Sequence, residues 1–90
     1  MMPTVLFTRA LERFLPAPST TVEGTTVGGA LAAVFATRPA LRGYVLDDQG
    51  ALRRHVAVYV NGEPVRDRAR MTDPVGMHDL IYVFQALSGG

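Results

Sequence analysis

The stretch HVAVYVNGEPVR, residues 55–66, decides the fold. Val56, Val58 and Val60 alternate with Ala57 and Tyr59, the period-two pattern of a strand with one buried face. Asn61-Gly62 follows at once. Both residues tolerate the positive φ that a two-residue hairpin turn demands, so this dipeptide is a strong hairpin signal. EPVR, residues 63–66, then begins the return strand.

Working outward, TVLF and its flanks predict a first strand over Pro3–Thr8. FLPAPST is a proline-rich turn, and TTVEGT a short second strand closed by Gly24, so the two form a hairpin. In TTVGGALAAVFATRPAL, Val27, Leu31, Val34 and Phe35 recur at helical spacing and line one face. Thr26 stands at the N-cap, and Arg38-Pro39 stops the helix because the residue before proline avoids helical backbone. Gly28-Gly29 in the first turn match neither G-x-G-x-x-G nor G-x-x-x-x-G-K, which favours a tight approach of helix to sheet over a phosphate cradle. LRGYVLDDQGALRR is a connector with a turn at DDQG. DRARMTDPVGMHD is a polar loop, and DLIYVFQA is the last strand.

The order is thus β-β-α-β-β-β, an α+β chain. A mixed sheet with one main helix packed on one face follows, its first and last strands forming a central parallel pair. This is the β-grasp arrangement. Ninety residues make one domain on a modest core, here residues 1–84. Residues 85–90 form a flexible tail ending in Gly-Gly.

Composition narrows the chemistry. Apolar residues make up 48% of the chain, which suits a globular domain rather than a disordered one. No apolar run approaches a membrane span, and no basic flank with an apolar stretch marks a secretory signal. Cytoplasm is the expected location. The net charge of +1 gives no strong pull toward nucleic acid or membrane. Cysteine is absent, which excludes disulfides, thiolate catalysis and cysteine-held metal. All nine basic residues are arginine, as GC-rich coding would produce, and no side-chain amine is present for acylation or Schiff-base chemistry.

His55 and His78 are far apart and have no ligand-spaced partner, so no metal site is expected. Asp47-Asp48 fall in a turn, where aspartate bonds its own backbone. Ser88 has no base near it in sequence, and no acid–base pair with a pocket is evident. Two features remain. If Ile81 and Val83 face the core, Tyr59, Tyr82 and Phe84 share the open side of the sheet as an aromatic docking surface. Beyond them Ser88-Gly89-Gly90 makes a thin thread without Cβ atoms at its last two residues. Such a thread can enter a narrow channel and present an α-carboxylate there. A carboxylate is a poor electrophile and needs activation, as an acyl-adenylate, by a partner enzyme.

The strand order, the VYVNGEPVR hairpin and the terminal SGG together resemble the ubiquitin-like sulfur carriers of the ThiS/MoaD family, over essentially the whole chain. HVAVYVNGEPVR and the long connector before it look closest to the carrier of a cysteine-biosynthesis route. Gln85-Ala86-Leu87 stand where the molybdopterin synthase small subunit usually has proline. The resemblance implies a protein cosubstrate rather than an enzyme, countable at most as the small subunit of a sulfur-transfer synthase. Gly90 would be adenylated with ATP and converted to a thiocarboxylate that donates sulfur toward cysteine, molybdopterin, thiamine or another thio-metabolite. Gly89 would thread the channel, and Tyr59, Tyr82, Phe84 and Leu87 would dock the partners. Those partners would be a ubiquitin-activating-like adenylyltransferase, a rhodanese- or desulfurase-type sulfur donor and a sulfur-accepting synthase. ATP would serve the activating partner, and no cofactor would stay bound. The alternative implied is a ubiquitin-like modifier joined through Gly90 to lysines of target proteins.

Overall fold

The structure is a computed structural model that describes residues 2–7 and 19–85. Among the described residues the strands are β1 (Thr4–Phe7), β2 (Ser19–Thr21), β3 (Val56–Val60), β4 (Glu63–Pro64) and β5 (Leu80–Gln85). The helices are α1 (Val27–Thr37) and α2 (Pro39–Val45). The strands form one sheet in the order β2-β1-β5-β3-β4. β1 and β5 run parallel in the middle, in the register Val5↔Ile81 and Phe7↔Val83, and every other pair is antiparallel. The mixed β-grasp sheet expected from sequence is therefore present.

Alternation decides the two faces. Val5, Phe7, Val56, Val58, Ile81 and Val83 are buried on one side of the sheet. α1 lays Val27, Ala30, Leu31, Val34 and Phe35 against them, and Leu41 and Val45 of α2 complete the core. Each such side chain contributes roughly 1.5–3 kcal/mol when fully removed from water. The next residues along β5, namely Leu80, Tyr82 and Phe84, are left exposed on the opposite side.

The caps follow the local chemistry. Thr26 has extended backbone, and its Oγ1 accepts the Gly29 N–H at 3.0 Å. Val27 N–H and Gly28 N–H donate to the carbonyls of Asp73 and Met71. The first-turn donors of α1 are therefore committed, and no anion cradle is left at Gly28-Gly29. The close approach at Gly28 is real, but its neighbour is a loop rather than the sheet. A Cβ there would meet the Arg70 and Met71 carbonyl oxygens at 3.1 and 3.2 Å.

Two further expectations need correction. The segment after Arg38, read as a connector, begins with α2. Pro39 supplies the fixed φ that suits a first helical position, and Leu41 and Val45, four apart, face the core together. Glycine at position 43 and a length of seven residues hid this helix from periodicity. β2 is also shorter than expected and ends at Thr21, not near Gly24. Gly24 has a different duty: a Cβ on it would sit 2.7 Å from the Ala30 nitrogen and 2.9 Å from its Cα. Gly24→Ala is expected to destabilise the fold by about 2–3 kcal/mol through overpacking against main chain, measured as a lower denaturation midpoint at unchanged m-value.

Candidate functional site

The open face is assembled by three neighbouring pieces of backbone. β3 and β5 pair so that Tyr59 lies opposite Tyr82, and Ala57 opposite Phe84. The Tyr59 and Phe84 rings meet edge to face at 5.6 Å, and the Tyr82 and Phe84 rings stack at 6.0 Å. Both arrangements are favoured by aromatic quadrupoles and hold the rings as a unit. Ala57, Tyr59, Gly62, Tyr82 and Phe84 line a shallow depression of about 430 Å³. Phe84 keeps 40% of its surface in contact with solvent and Tyr82 36%. The structure therefore brings Tyr59, Tyr82 and Phe84 together, as alternation predicts. Ala57, Gly62 and Leu80 join them on this face. The parity of Leu80 with Tyr82 was the signal for it, and the positive φ of Gly62, +88°, places the hairpin turn at the rim.

The hairpin turn is tied to the entry of β5. Asn61 adopts φ +51°. Its Oδ1 accepts the Leu80 N–H at 2.9 Å, its N–H donates to the Leu80 carbonyl, and its Nδ2 donates to Asp79 Oδ1 at 2.8 Å. One side chain thus sets the turn and the start of the aromatic strand. β5 continues to Gln85, paired with Val56. Leu87, Ser88, Gly89 and Gly90, with the tail assigned to 85–90 apart from Gln85 itself, lie outside the described residues.

The loop between β4 and β5 is pinned by three carboxylates. Asp67 accepts from the backbone of Ala69 and Arg70 and from the Thr72 hydroxyl. Asp73 accepts from the Arg66 and Asp67 N–H groups, and Asp79 from Gly76 and Asn61. The backbone donor at Arg70 chiefly holds Asp67 below the usual carboxylate value of 3.8, Arg66 N–H does so for Asp73, and Gly76 N–H for Asp79. A depressed folded-state pKa adds stability above the unfolded value, and that stability is lost as pH falls through the folded one. The melting temperature is therefore expected to hold near neutrality and to fall below about pH 4. Asp73→Asn, which leaves one of the two backbone donors without a carboxylate oxygen, should lower it at pH 7 and flatten that acid limb.

Other polar groups are occupied locally. Asp47 Oδ1 accepts from Gln49 and Ala51, closing the DDQG turn. Arg68 Nη2 donates to the carbonyls of Arg53 and Val56, and Arg53 Nε to that of Gly43. His55 precedes β3, and His78 sits in the turn before β5. Among the described residues no three of His, Cys, Asp and Glu are grouped to hold a metal ion. No helix among them is long and apolar enough to cross a membrane.

A five-stranded mixed sheet among the described residues, covered on one side and aromatic on the other, is the ubiquitin-like β-grasp. The chain belongs to the ThiS family, whose model matches residues 9–90. Among solved structures it is similar to SAMP1 from Haloferax volcanii, with 28% identity, all of both chains covered and a TM-score of 0.84. It is also similar to a chain of the Amycolatopsis orientalis BexX/CysO complex, with 25% identity over 98% of this chain and 99% of that one, and a TM-score of 0.85. Mycobacterium tuberculosis CysO shares the fold, with 24% identity over 94% of this chain and 99% of that one, and a TM-score of 0.82. No curated protein sequence matches the chain.

Proposed function

We propose that the chain is a sulfur carrier, a protein cosubstrate rather than an enzyme. The observation that carries this reading is the ThiS-family match, which takes in both the aromatic strand and Gly89-Gly90. The Gly90 carboxylate attacks the α-phosphate of ATP on an adenylyltransferase, releasing pyrophosphate and leaving an acyl-adenylate. The outer sulfur of a persulfide on a rhodanese- or desulfurase-type donor then displaces AMP. A second thiol attacks the donor-side sulfur of the resulting acyl disulfide, which leaves a disulfide on the donor and the thiocarboxylate on Gly90. The thiocarboxylate passes its sulfur to an acceptor synthase. Tyr59, Tyr82 and Phe84 form the docking surface, Leu87 extends it, and Gly89 threads the enzyme channel. The cytoplasm, where ATP is available, is the place for this cycle. Cysteine, molybdopterin, thiamine and other thio-metabolites are the classes of end product, and likeness to a CysO chain favours the first.

Intact mass tests the reading. With ATP, a sulfur source and the cognate activating enzyme, the carrier gains about 16 Da as oxygen is replaced by sulfur at an activated acyl group. An unchanged mass under turnover conditions rejects it. A second reading rests on the likeness to SAMP1, a small archaeal modifier protein. In that reading the adenylate passes to lysines of other proteins, and covalent ladders ending in Gly90 isopeptides appear instead of a thiocarboxylate.

A further inference from the structure

We infer that the side chains of this chain are inert toward its own activated terminus, so that copies of the carrier do not acylate one another through them. The inference rests on the acyl-carrier reading above. The reaction avoided is simple. A neutral amine adds to the Gly90 acyl-adenylate carbonyl, AMP leaves with the bonding pair, a proton is lost, and an amide joins two chains. That product is a dead end for sulfur transfer because the amide no longer exchanges with a sulfur nucleophile.

The ninety residues hold no lysine and no cysteine. Their positive charge is carried by guanidinium groups, which are delocalised and stay protonated, so they do not attack acyl carbon. The structure separates two kinds of arginine. Arg53 Nε donates to the Gly43 carbonyl and Arg68 Nη2 to those of Arg53 and Val56, so these two guanidinium groups tie main chain together. Arg42 and Arg54 are exposed, and among the described residues no side-chain hydrogen bond holds their guanidinium groups. Folding makes no demand for a guanidinium at these two sites, yet the amine is missing there too. The other nucleophiles are weak or reversible. His55 is half-buried, and an acyl group on either His55 or the exposed His78 is returned to water by hydrolysis. The hydroxyls of Thr26, Thr37 and Thr72 are engaged in hydrogen bonds. A carrier present at high concentration can thus hold an activated acyl group without losing it to the side chains of other copies; the α-amine is the one amine left, and it is blocked in the test below.

The test uses the full chain with its α-amine acetylated, as wild type, Arg42→Lys and Arg54→Lys. Each is activated in two ways: with ATP and the adenylyltransferase, and chemically as an aryl thioester at Gly90. Covalent dimer is read by denaturing gel and intact mass, and the junction by peptide mapping. Wild type should stay monomeric, and the lysine variants should accumulate at least about tenfold more dimer, joined at the new amine. The inference fails if wild type dimerises as much as the variants, or if the variants dimerise no more than wild type. Absence of adenylate in the enzymatic arm counts against the acyl-carrier reading alone, because the thioester arm still decides self-acylation.

Discussion

On the acyl-carrier reading, a single alanine appended after Gly90 is expected to abolish adenylation, with kcat/KM for the activating enzyme falling by at least about a hundredfold. One added residue moves the reacting carboxylate by roughly 3.3–3.6 Å along an extended chain. Misplacing a reacting group by about 1 Å already costs on the order of a hundredfold in rate. On that reading the appended residue would also bring a Cβ into the channel that Gly89 threads. ATP–pyrophosphate exchange measures the effect, and melting temperature serves as the control. Among the described residues Gln85, opposite Val56, is the last paired residue of β5. The fold should therefore be as stable with the appended alanine as without it. Full exchange activity in the extended chain would refute the acyl-carrier reading, and so would unchanged activity after Gly90 is deleted.

The parts of this molecule legible from sequence are those where local chemistry and long-range packing agree. Val56 to Val60 alternate, Asn61-Gly62 turn, and every neighbour in the sheet then reinforces that parity. The open aromatic face follows from the same parity once Ile81 and Val83 are placed in the core. α2 was illegible because its seven residues bury only one i, i+4 apolar pair, and its stability comes from docking Leu41 and Val45 rather than from propensity. The loop after β4 hid for a different reason. Asp67, Asp73 and Asp79 read as polar loop residues, while their duty is to collect backbone N–H groups up to seven positions away. Gly28 announces a close contact without saying with what. Only the folded chain shows that the 70–71 backbone fills the space and that the Met71 carbonyl takes the Gly28 N–H.

Phe84→Asp raises KM for the carrier in the activation reaction by about thirtyfold or more, at nearly unchanged kcat. Aromatic anchors at the centre of an interface commonly contribute 2 kcal/mol or more, and each 1.4 kcal/mol is a factor of ten. Phe84 has this standing because it contacts both tyrosines of the patch, edge on to Tyr59 and stacked with Tyr82. Aspartate in its place also buries an unpaired charge when the partner docks, which adds to the loss. The effect should fall on KM because the partner would hold this depression before and during chemistry alike, a uniform binding contribution. The fold should tolerate the change, since Phe84 is 40% exposed and points away from the core that Val83 enters. Ala36→Glu supplies the comparison: it adds a charge at an exposed site of α1, on the helix-covered side of the sheet, and should leave KM within about twofold. A sheet face without a docking role would show the two variants alike. A thirtyfold separation between them, at equal melting temperatures, assigns recognition to the Tyr59–Tyr82–Phe84 face and leaves Gly89-Gly90 the separate task of reaching the nucleotide.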